Sequence, residues 1–292
     1  MHEELLNATF GGGRFRVDRH LQGKGLRQLF LGRDTATGST LLISYDTLPK
    51  HTTIAGFVQT TGTQAPGVLD LVFAGPPDDK SLWDLWGVIE RAPPGAEWLP
   101  SILGQHPEEV AADAIPRRLP SYDAATALPN ALGLGRSAGR ILAENARGGL
   151  LRRRGTILAR VRPETMWVER GSDGALRVTA LSQRSELMFA ASYVDAFVWP
   201  VFDRYYYAPE VDRKGATVDD RALVFCLSTM IAEWATGLYP FAKKDYSMGP
   251  IKDDQVALDL PDRLAVLLGS GMRIDVGQRP TLSAFLAELK RC

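Results

Sequence analysis

The spacing of apolar residues changes part-way along the chain, from short alternating runs to long stretches with helical spacing. Before residue 92, strand-like runs are separated by turn signals; these runs lie at residues 14–17, 29–31, 41–45, 68–73 and 85–90. Short runs of this kind predict a small antiparallel sheet. Pro93-Pro94-Gly95 then breaks the pattern. A chain with strands first and helices afterwards is expected to fold as α+β.

Helical spacing starts at Ala131 and returns twice toward the C-terminus. Residues 218–237 predict a long, largely buried helix, because most of its side chains are apolar and Gly237 is a typical stop. Residues 282–289 predict a last amphipathic helix that Pro280-Thr281 opens. Between the two halves, the prolines of residues 105–129 predict a loop or an insertion.

Composition limits what the chain is expected to bind. It carries 34 Lys and Arg against 34 Asp and Glu, so a nucleic acid is not the expected partner. The most apolar run, residues 222–232, is too short to span a bilayer, and the acidic start at residues 1–6 is unlike a secretory signal. Two cysteines and four scattered histidines predict neither a disulfide framework nor a structural metal. We expect a cytoplasmic protein without a bound cofactor.

Several short motifs occur in the order and spacing of the eukaryotic-like (Hanks-type) Ser/Thr protein kinases. Tyr207-Ala208-Pro209-Glu210 resembles the end of the activation segment, and residues 227–241 resemble the end of the long central helix and its loop. Arg279-Pro280-Thr281 resembles the start of a late helix. Val161-Arg162-Pro163-Glu164 is similar to part of the catalytic loop, and residues 30–38 are similar to a strand and hairpin of bacterial members.

This resemblance covers residues 15–289 and implies a bilobal protein-kinase-like fold of the α+β class. A small antiparallel β N-lobe precedes a larger α-helical C-lobe in this family. The implied divisions of a single domain, residues 1–292, are an N-lobe at 10–91, a hinge at 92–95 and a C-lobe at 96–292 with a proline-rich insertion near 105–130.

The residues that carry phosphoryl transfer in the family do not occur at the matching positions. The strand lysine falls on Ser44, the His-Arg-Asp triplet on Leu158-Ala159-Arg160, and the catalytic-loop asparagine on Thr165. The magnesium-binding Asp-Phe-Gly triplet falls on Ser182-Gln183-Arg184. Phosphoryl transfer depends on positioning the phosphates and neutralising their charge. The resemblance therefore implies a degenerate pseudokinase and not an enzyme.

The adenine slot of the family maps onto bulky apolar side chains. A planar base needs about 3.5 Å to the groups on each of its faces. Leu42 and Trp167 are larger than the family residues there, so we expect them to meet across the slot and fill it. An outward rotation of Trp167 that leaves the slot open is the alternative. The whole remnant of the nucleotide pocket comprises Leu21, Leu29, Leu42, Ile89, Glu90, Ala92 and Trp167. The connector at 89–92 is expected to present its backbone groups to the slot.

Two expectations concern the interior of the C-lobe. The resemblance implies a buried ion pair between Glu210 and Arg279 that ties the activation segment to the lobe. In the family, an aspartate early in the long helix anchors the catalytic histidine. These two positions fall on Leu223 and Leu158, which predicts a hydrophobic contact in place of the polar one. Asp219 and Asp220 lie about one turn away and are alternative anchors.

Two clusters bear on partner binding. The arginines at 147, 152–154, 160 and 162 are interpreted as a solvated surface, with phosphate docking as the alternative. Tyr205-Tyr206-Tyr207 is interpreted as packing against the C-lobe, with a partner-binding patch as the alternative.

The function indicated is that of a bacterial pseudokinase that acts as a scaffold or allosteric regulator by binding another protein. Nucleotide binding is not expected. Two alternatives stay open. One is a nucleotide-sensing pseudokinase that binds ATP without metal; the other is a non-kinase transferase on the same fold, such as an adenylyl transferase.

Overall fold

The five strands expected from the sequence join one further strand in a single six-stranded antiparallel sheet. The computed structural model describes residues 5–22, 27–46, 65–82, 86–103, 123–147, 152–153, 156–157, 161–182, 206–212, 218–241 and 258–292. Within them, the N-lobe strands are β1 (Thr9–Phe10), β2 (Phe15–Gln22), β3 (Arg27–Asp34), β4 (Thr40–Asp46), β5 (Asp70–Gly75) and β6 (Trp86–Arg91). Their order across the sheet is β1-β2-β3-β4-β6-β5, so β6 is an interior strand with a neighbour on each side.

The two faces of this sheet pack into two different cores. Leu41, Ile43 and Tyr45 of β4 point to one face, where they join an aromatic cluster with Phe10 and Phe30. Leu42 points to the opposite face and joins a second cluster. Successive side chains of a strand point to opposite faces, so a strand buried on both faces is apolar almost without interruption, as residues 41–45 are.

The N-terminal segment contributes a strand that the sequence does not predict. β1 pairs with β2, and the side chains of Leu5 and Phe10 are buried in the aromatic cluster. The turn after β1 uses the consecutive glycines 11–13, all with positive φ, a conformation that costs glycine little. Both carboxylate oxygens of Asp78 accept hydrogen bonds from this turn, at 2.9 Å from Gly12 N and 2.8 Å from Gly13 N.

The C-lobe combines five helices of the described ranges with short strands. Its helices are α1 (Leu99–Ile102), α2 (Ala124–Arg147), α3 (Arg221–Thr236), α4 (Asp262–Gly271) and α5 (Leu282–Leu289). Its strands are β7 (Glu97–Trp98), β8 (Arg152–Arg153), β9 (Thr156–Ile157), β10 (Met166–Arg170) and β11 (Leu176–Leu181), of which β11, β10 and β7 form one sheet in that order. Single 3-10 turns lie at Lys80–Leu82, Pro163–Thr165, Pro209–Asp212 and Val276–Gln278. No helix in the described ranges is long and apolar enough to cross a membrane.

The start of α2 corrects the expected insertion. Residues 124–130 belong to the helix, although Pro129 suggests a break, and residues 104–122 lie outside the described ranges. Asp123 caps the helix, because its carboxylate accepts hydrogen bonds from the Ala125 amide at 3.1 Å and from the Thr126 hydroxyl at 2.9 Å. Pro129 removes one amide near the helix start, where the carbonyl of the exposed Ala125 can bond to water instead.

The long helix expected at residues 218–237 is confirmed as α3, and Gly237 ends it in a left-handed conformation. Every side chain from 222 to 235 is buried, and the helix packs against α2, α4 and α5. The last helix is also confirmed: Thr281 caps α5 by accepting a hydrogen bond from Ala284 N at 3.3 Å. α3 is therefore the axis around which the C-lobe is packed.

Glu210 and Arg279 form the buried ion pair that the sequence predicts. Nη1 and Nη2 of Arg279 lie 2.7 and 3.0 Å from the two carboxylate oxygens of Glu210. The guanidinium also donates to the carbonyl oxygens of Arg273 and Ile274, and it lies 4.9 Å from the ring centre of Phe225. The buried charges are thus both paired and hydrogen-bonded, which is the condition for tolerating them in a core.

Replacing Glu210 with alanine is expected to lower the free energy of unfolding by about 3 kcal/mol or more, because the charge of Arg279 is left buried and unpaired. The melting temperature should fall by roughly 6 °C or more for a chain of this size. Arg263→Ala is the control, because Arg263 makes an exposed ion pair with Glu288 and should leave the melting temperature unchanged. Equal melting temperatures for the two variants would contradict the structural role of Glu210.

Asp34 is expected to make the N-lobe sensitive to acid. Two hydrogen bonds from Arg14, at 3.2 and 2.9 Å, lower the pKa of this buried carboxyl below its ordinary 3.8. The ionised carboxylate contributes its full stabilisation at a pH above the ordinary pKa. This stabilisation is lost as the pH falls through the lower pKa of the folded chain. Arg14→Ala should therefore begin acid unfolding at a higher pH than the native chain, as followed by circular dichroism. Arg16→Ala, at an exposed and longer contact of 3.9 Å to Asp18, should not shift the transition.

Candidate functional site

Side chains from both lobes pack together where the resemblance places the adenine slot. One buried cluster joins Leu21, Leu29 and Leu42 of the N-lobe sheet to Trp167 and Ala180 of the C-lobe hairpin. Leu69, Ala92 and Trp98 complete this cluster. Of the seven residues in the expected pocket remnant, five therefore belong to one buried cluster. This arrangement is the one expected for a closed slot.

Trp167 is held at the centre of the C-lobe sheet. In the register of the strands it lies opposite Ala180 on β11 and opposite Trp98 on β7. Trp98 is fixed in turn, because its indole nitrogen donates to the carbonyl of Glu164 at 3.0 Å. The side chain of Trp167 is only 2% exposed, so the outward rotation considered as an alternative does not occur in this structure.

The connector at 89–92 does not present its backbone to the slot, which corrects the expectation. Glu90 and Arg91 lie inside the sheet, paired with β4 on one side and β5 on the other. The amide of Ala92 donates to the carbonyl of Thr40 at 3.0 Å. The side chain of Ile89 packs into the aromatic cluster on the other face. A base in the slot would have to compete with these bonds for its hydrogen-bond partners.

Ser44, at the position of the strand lysine, is buried on β4 opposite Val88. Its hydroxyl has no hydrogen-bond partner within the described residues. A neutral hydroxyl supplies no charge for the phosphates that the lysine holds in the family. Within the described residues, no three His, Cys, Asp or Glu side chains are grouped so that they could hold a metal ion.

Thr165, at the position of the catalytic asparagine, is buried in the turn before β10. Its hydroxyl donates to the carbonyl of Arg162 at 2.8 Å, and its own carbonyl accepts the amide of Ser182 at 2.7 Å. These bonds shape the turn from Pro163 to Thr165 and attach it to the end of β11. The side chain at this position thus has a structural role.

Ser182, at the position of the magnesium aspartate, bonds across the lobes. Its hydroxyl donates to Oε2 of Glu90 at 2.5 Å, and both side chains are buried. Sequence reasoning placed these two residues in the site but did not pair them. The available signal was Glu90 itself, a carboxylate within an otherwise apolar strand run, because a buried charge requires a partner.

Leu158 and Arg160 lie outside the described residues, and with them the expected contact between Leu158 and Leu223. Leu223 is fully buried in α3. Asp219, an alternative anchor, accepts the amide of Arg221 and pairs with its guanidinium at 2.6 Å. The other, Asp220, accepts the amide of Leu282 at 3.0 Å. Both carboxylates therefore help to place the ends of α3 and α5.

The arginine cluster is not one exposed surface. Arg162 is buried whereas Arg147 is exposed at the end of α2, and the side chains of the other members lie outside the described part of the chain. Two of the three tyrosines pack inward as interpreted from the sequence: Tyr206 and Tyr207 are both buried, and the Tyr206 hydroxyl donates to Glu233 at 2.6 Å. Tyr205 lies outside the described residues.

A cavity of about 460 Å³ lies away from the slot, between α2, the β10–β11 hairpin and the loop before β5. Its lining includes Arg140, Ile141, Glu144, Glu169 and Arg170. The mixed charges of this lining favour no single class of ligand, and none of the expected site residues lies in it.

Comparisons with known proteins identify the fold. No protein-family model matches the chain, and no curated protein sequence matches it. Among solved structures, the kinase domain of PknI from Mycobacterium tuberculosis matches with a TM-score of 0.58 at 15% identity, over 98% of this chain and 98% of that domain. This likeness confirms a protein-kinase-like fold with a curled antiparallel N-lobe sheet followed by helices. At this level of identity, it concerns the fold alone.

Trp167→Ala tests how tightly the slot is packed. Removal of this buried indole should lower the free energy of unfolding by about 3–5 kcal/mol, because the cluster loses contacts and keeps a cavity. Thermal unfolding measures the loss, and added indole should recover part of it. The control is Val266→Ala, a truncation at a side chain that is 73% exposed and is expected to cost less than about 0.5 kcal/mol. A loss no larger than the control's would mean that the slot is loosely packed.

Proposed function

We propose that this protein is a catalytically inactive pseudokinase that acts as a scaffold or allosteric regulator by binding another protein. The observation that supports this most is the filled slot, in which Leu42 and Trp167 share one buried cluster. Nucleotide affinity would have to offset the displacement of these packed side chains, and the charged groups that offset it in an active kinase are missing from the sequence.

The electrostatics of the slot support the same proposal. Ser44 replaces the cation that holds phosphates, and Ser182 replaces the anion that holds magnesium. Glu90 adds a buried carboxyl group beside Ser182, and a negative charge there would repel a polyphosphate. With neither a phosphate ligand nor a metal ligand, the transition state of phosphoryl transfer would lack its main stabilising charges.

A scaffold needs a surface of constant shape. The core of the C-lobe can hold such a surface in place. The buried pair of Glu210 and Arg279 and the buried helix α3 keep the fold intact while the catalytic positions have changed. As part of this proposal the protein works in the cytoplasm of a bacterium. Its two cysteines, Cys226 and Cys292, are free thiols, which fits a reducing compartment.

Nucleotide titration and a transfer assay test the proposal together. ATP and ADP, each with and without magnesium, should leave the melting temperature of the purified chain unchanged, and no labelled phosphate should reach the protein or a generic substrate. A dissociation constant tighter than about 100 μM would overturn the closed slot. If that binding occurred without metal, it would establish the nucleotide-sensing alternative.

Transfer activity requires its own control. Phosphate or adenylyl transfer that is abolished in Arg160→Ala or Thr165→Ala would establish an enzyme on this fold and overturn the proposal. The scaffold role is tested by capturing the partner protein from the native host. The same partner should bind equally with and without ATP, since the slot is expected to be insensitive to nucleotide.

A further inference from the structure

A buried hydrogen bond joins the two lobes where a working kinase would hold magnesium. Ser182 directly follows β11 of the C-lobe, and Glu90 lies near the end of β6 in the N-lobe. The Ser182 hydroxyl is 2.5 Å from Oε2 of Glu90, and the two side chains are 1% and 0% exposed. Separation of the lobes would break this bond and bring the carboxyl group out of its buried site.

Backbone hydrogen bonds cross between the lobes one residue away. The amide of Leu181 donates to the carbonyl of Gly67 at 2.8 Å, and the amide of Leu69 donates to the carbonyl of Leu181 at 3.0 Å. Val68 and Leu181 thus form a parallel bridge between the segment that leads into β5 and the end of β11. Buried amides and carbonyls rarely lack a partner, because leaving one unpaired costs free energy. The bridge and the side-chain bond therefore both oppose separation of the lobes.

The filled slot lies beside these bonds. Leu69 itself belongs to the buried cluster that contains Leu42 and Trp167. Opening the lobes would therefore expose apolar surface in addition to breaking these three hydrogen bonds and a fourth, from the Asn145 side chain of α2 to the carbonyl of Pro66 at 2.9 Å. In an active kinase, by contrast, a cleft must admit and release nucleotide, which requires the lobes to move.

We propose that Ser182 and Glu90, with the backbone bridge at residues 67–69 and 181, form a fixed joint that holds the two lobes in one orientation. The joint makes the surface offered to a partner independent of nucleotide and magnesium. This inference rests on the proposed function, because it assumes that no nucleotide occupies the slot.

The joint explains why serine is suited to this position. An aspartate at 182 would bring a second carboxylate beside Glu90, and two adjacent buried carboxylates repel one another unless they share a proton. The hydroxyl of Ser182 instead donates to the carboxyl group. The substitution that removes the magnesium ligand is therefore also the one that permits the interlobe bond.

Hydrogen exchange of the Leu69 and Leu181 amides reports directly on the joint, because both amides are bonded across it. Ser182→Asp should speed their exchange at least about tenfold, while the amides of α3 keep their protection and show that the chain stays folded. Ser182→Asp combined with Glu90→Gln should restore slow exchange, since the repulsion between carboxylates is removed. Restoration distinguishes the joint from a general loss of stability.

Ser182→Ala and Ser44→Ala are matched hydroxyl deletions at two former catalytic positions. Ser182→Ala removes the interlobe bond and should speed exchange of the two amides. Ser44→Ala removes a buried hydroxyl that has no partner within the described residues, and it should leave this exchange unchanged. Unchanged exchange in both Ser182→Asp and Ser182→Ala would overturn the joint. ATP with magnesium should leave exchange unchanged in the native chain. Failure of the proposed function would instead appear as nucleotide binding, or as phosphate or adenylyl transfer, by the native chain. This outcome does not depend on the exchange rates of the Leu69 and Leu181 amides.

Discussion

The C-lobe depends on the buried ion pair between Glu210 and Arg279. The guanidinium of Arg279 is bonded to both oxygens of the carboxylate and to backbone carbonyls before it, and it packs on the ring of Phe225 in α3. It therefore fixes the segment around residue 210, the start of α3 and the loop that leads to α5 in one place. Unpairing either charge would leave the other buried, so these elements keep their arrangement together.

Because of this constraint, the fold does not depend on the residues that catalysis would need. The ion pair and the interior of α3 lie in the C-lobe core and do not require nucleotide or metal. The resemblance assigns the phosphate and metal contacts to other positions, which lie outside the ion pair and the interior of α3. Ser44, Thr165 and Ser182 are all buried; Thr165 bonds within its own turn, and Ser182 bonds across the interface to Glu90. The proposed function therefore treats this interface as packed interior and not as an open cleft.

In the proposed function, the filled slot and the interlobe joint have the same physical basis. Leu42 and Trp167 share one buried cluster, and Ser182 donates a hydrogen bond to Glu90 across the same interface. Burial strengthens this hydrogen bond and makes its loss more costly than at a surface. A rigid bilobal body with a constant surface is a physically reasonable platform for binding another protein.

The sequence by itself determined the features that depend on neighbouring residues. Alternation places Leu42 and Ile43 on opposite faces of β4, Gly237 ends α3, and Thr281 caps α5. The ion pair between Glu210 and Arg279 joins residues 69 positions apart, and it was expected only because of the family resemblance. Only the tertiary structure decided that the N-terminal segment adds β1, that α2 continues through Pro129, that β6 lies inside the sheet, and that Ser182 bonds to Glu90. The last two residues are 92 positions apart. Local propensity carries no information on such pairs, because their energy arises only when the lobes are packed and water is excluded between them.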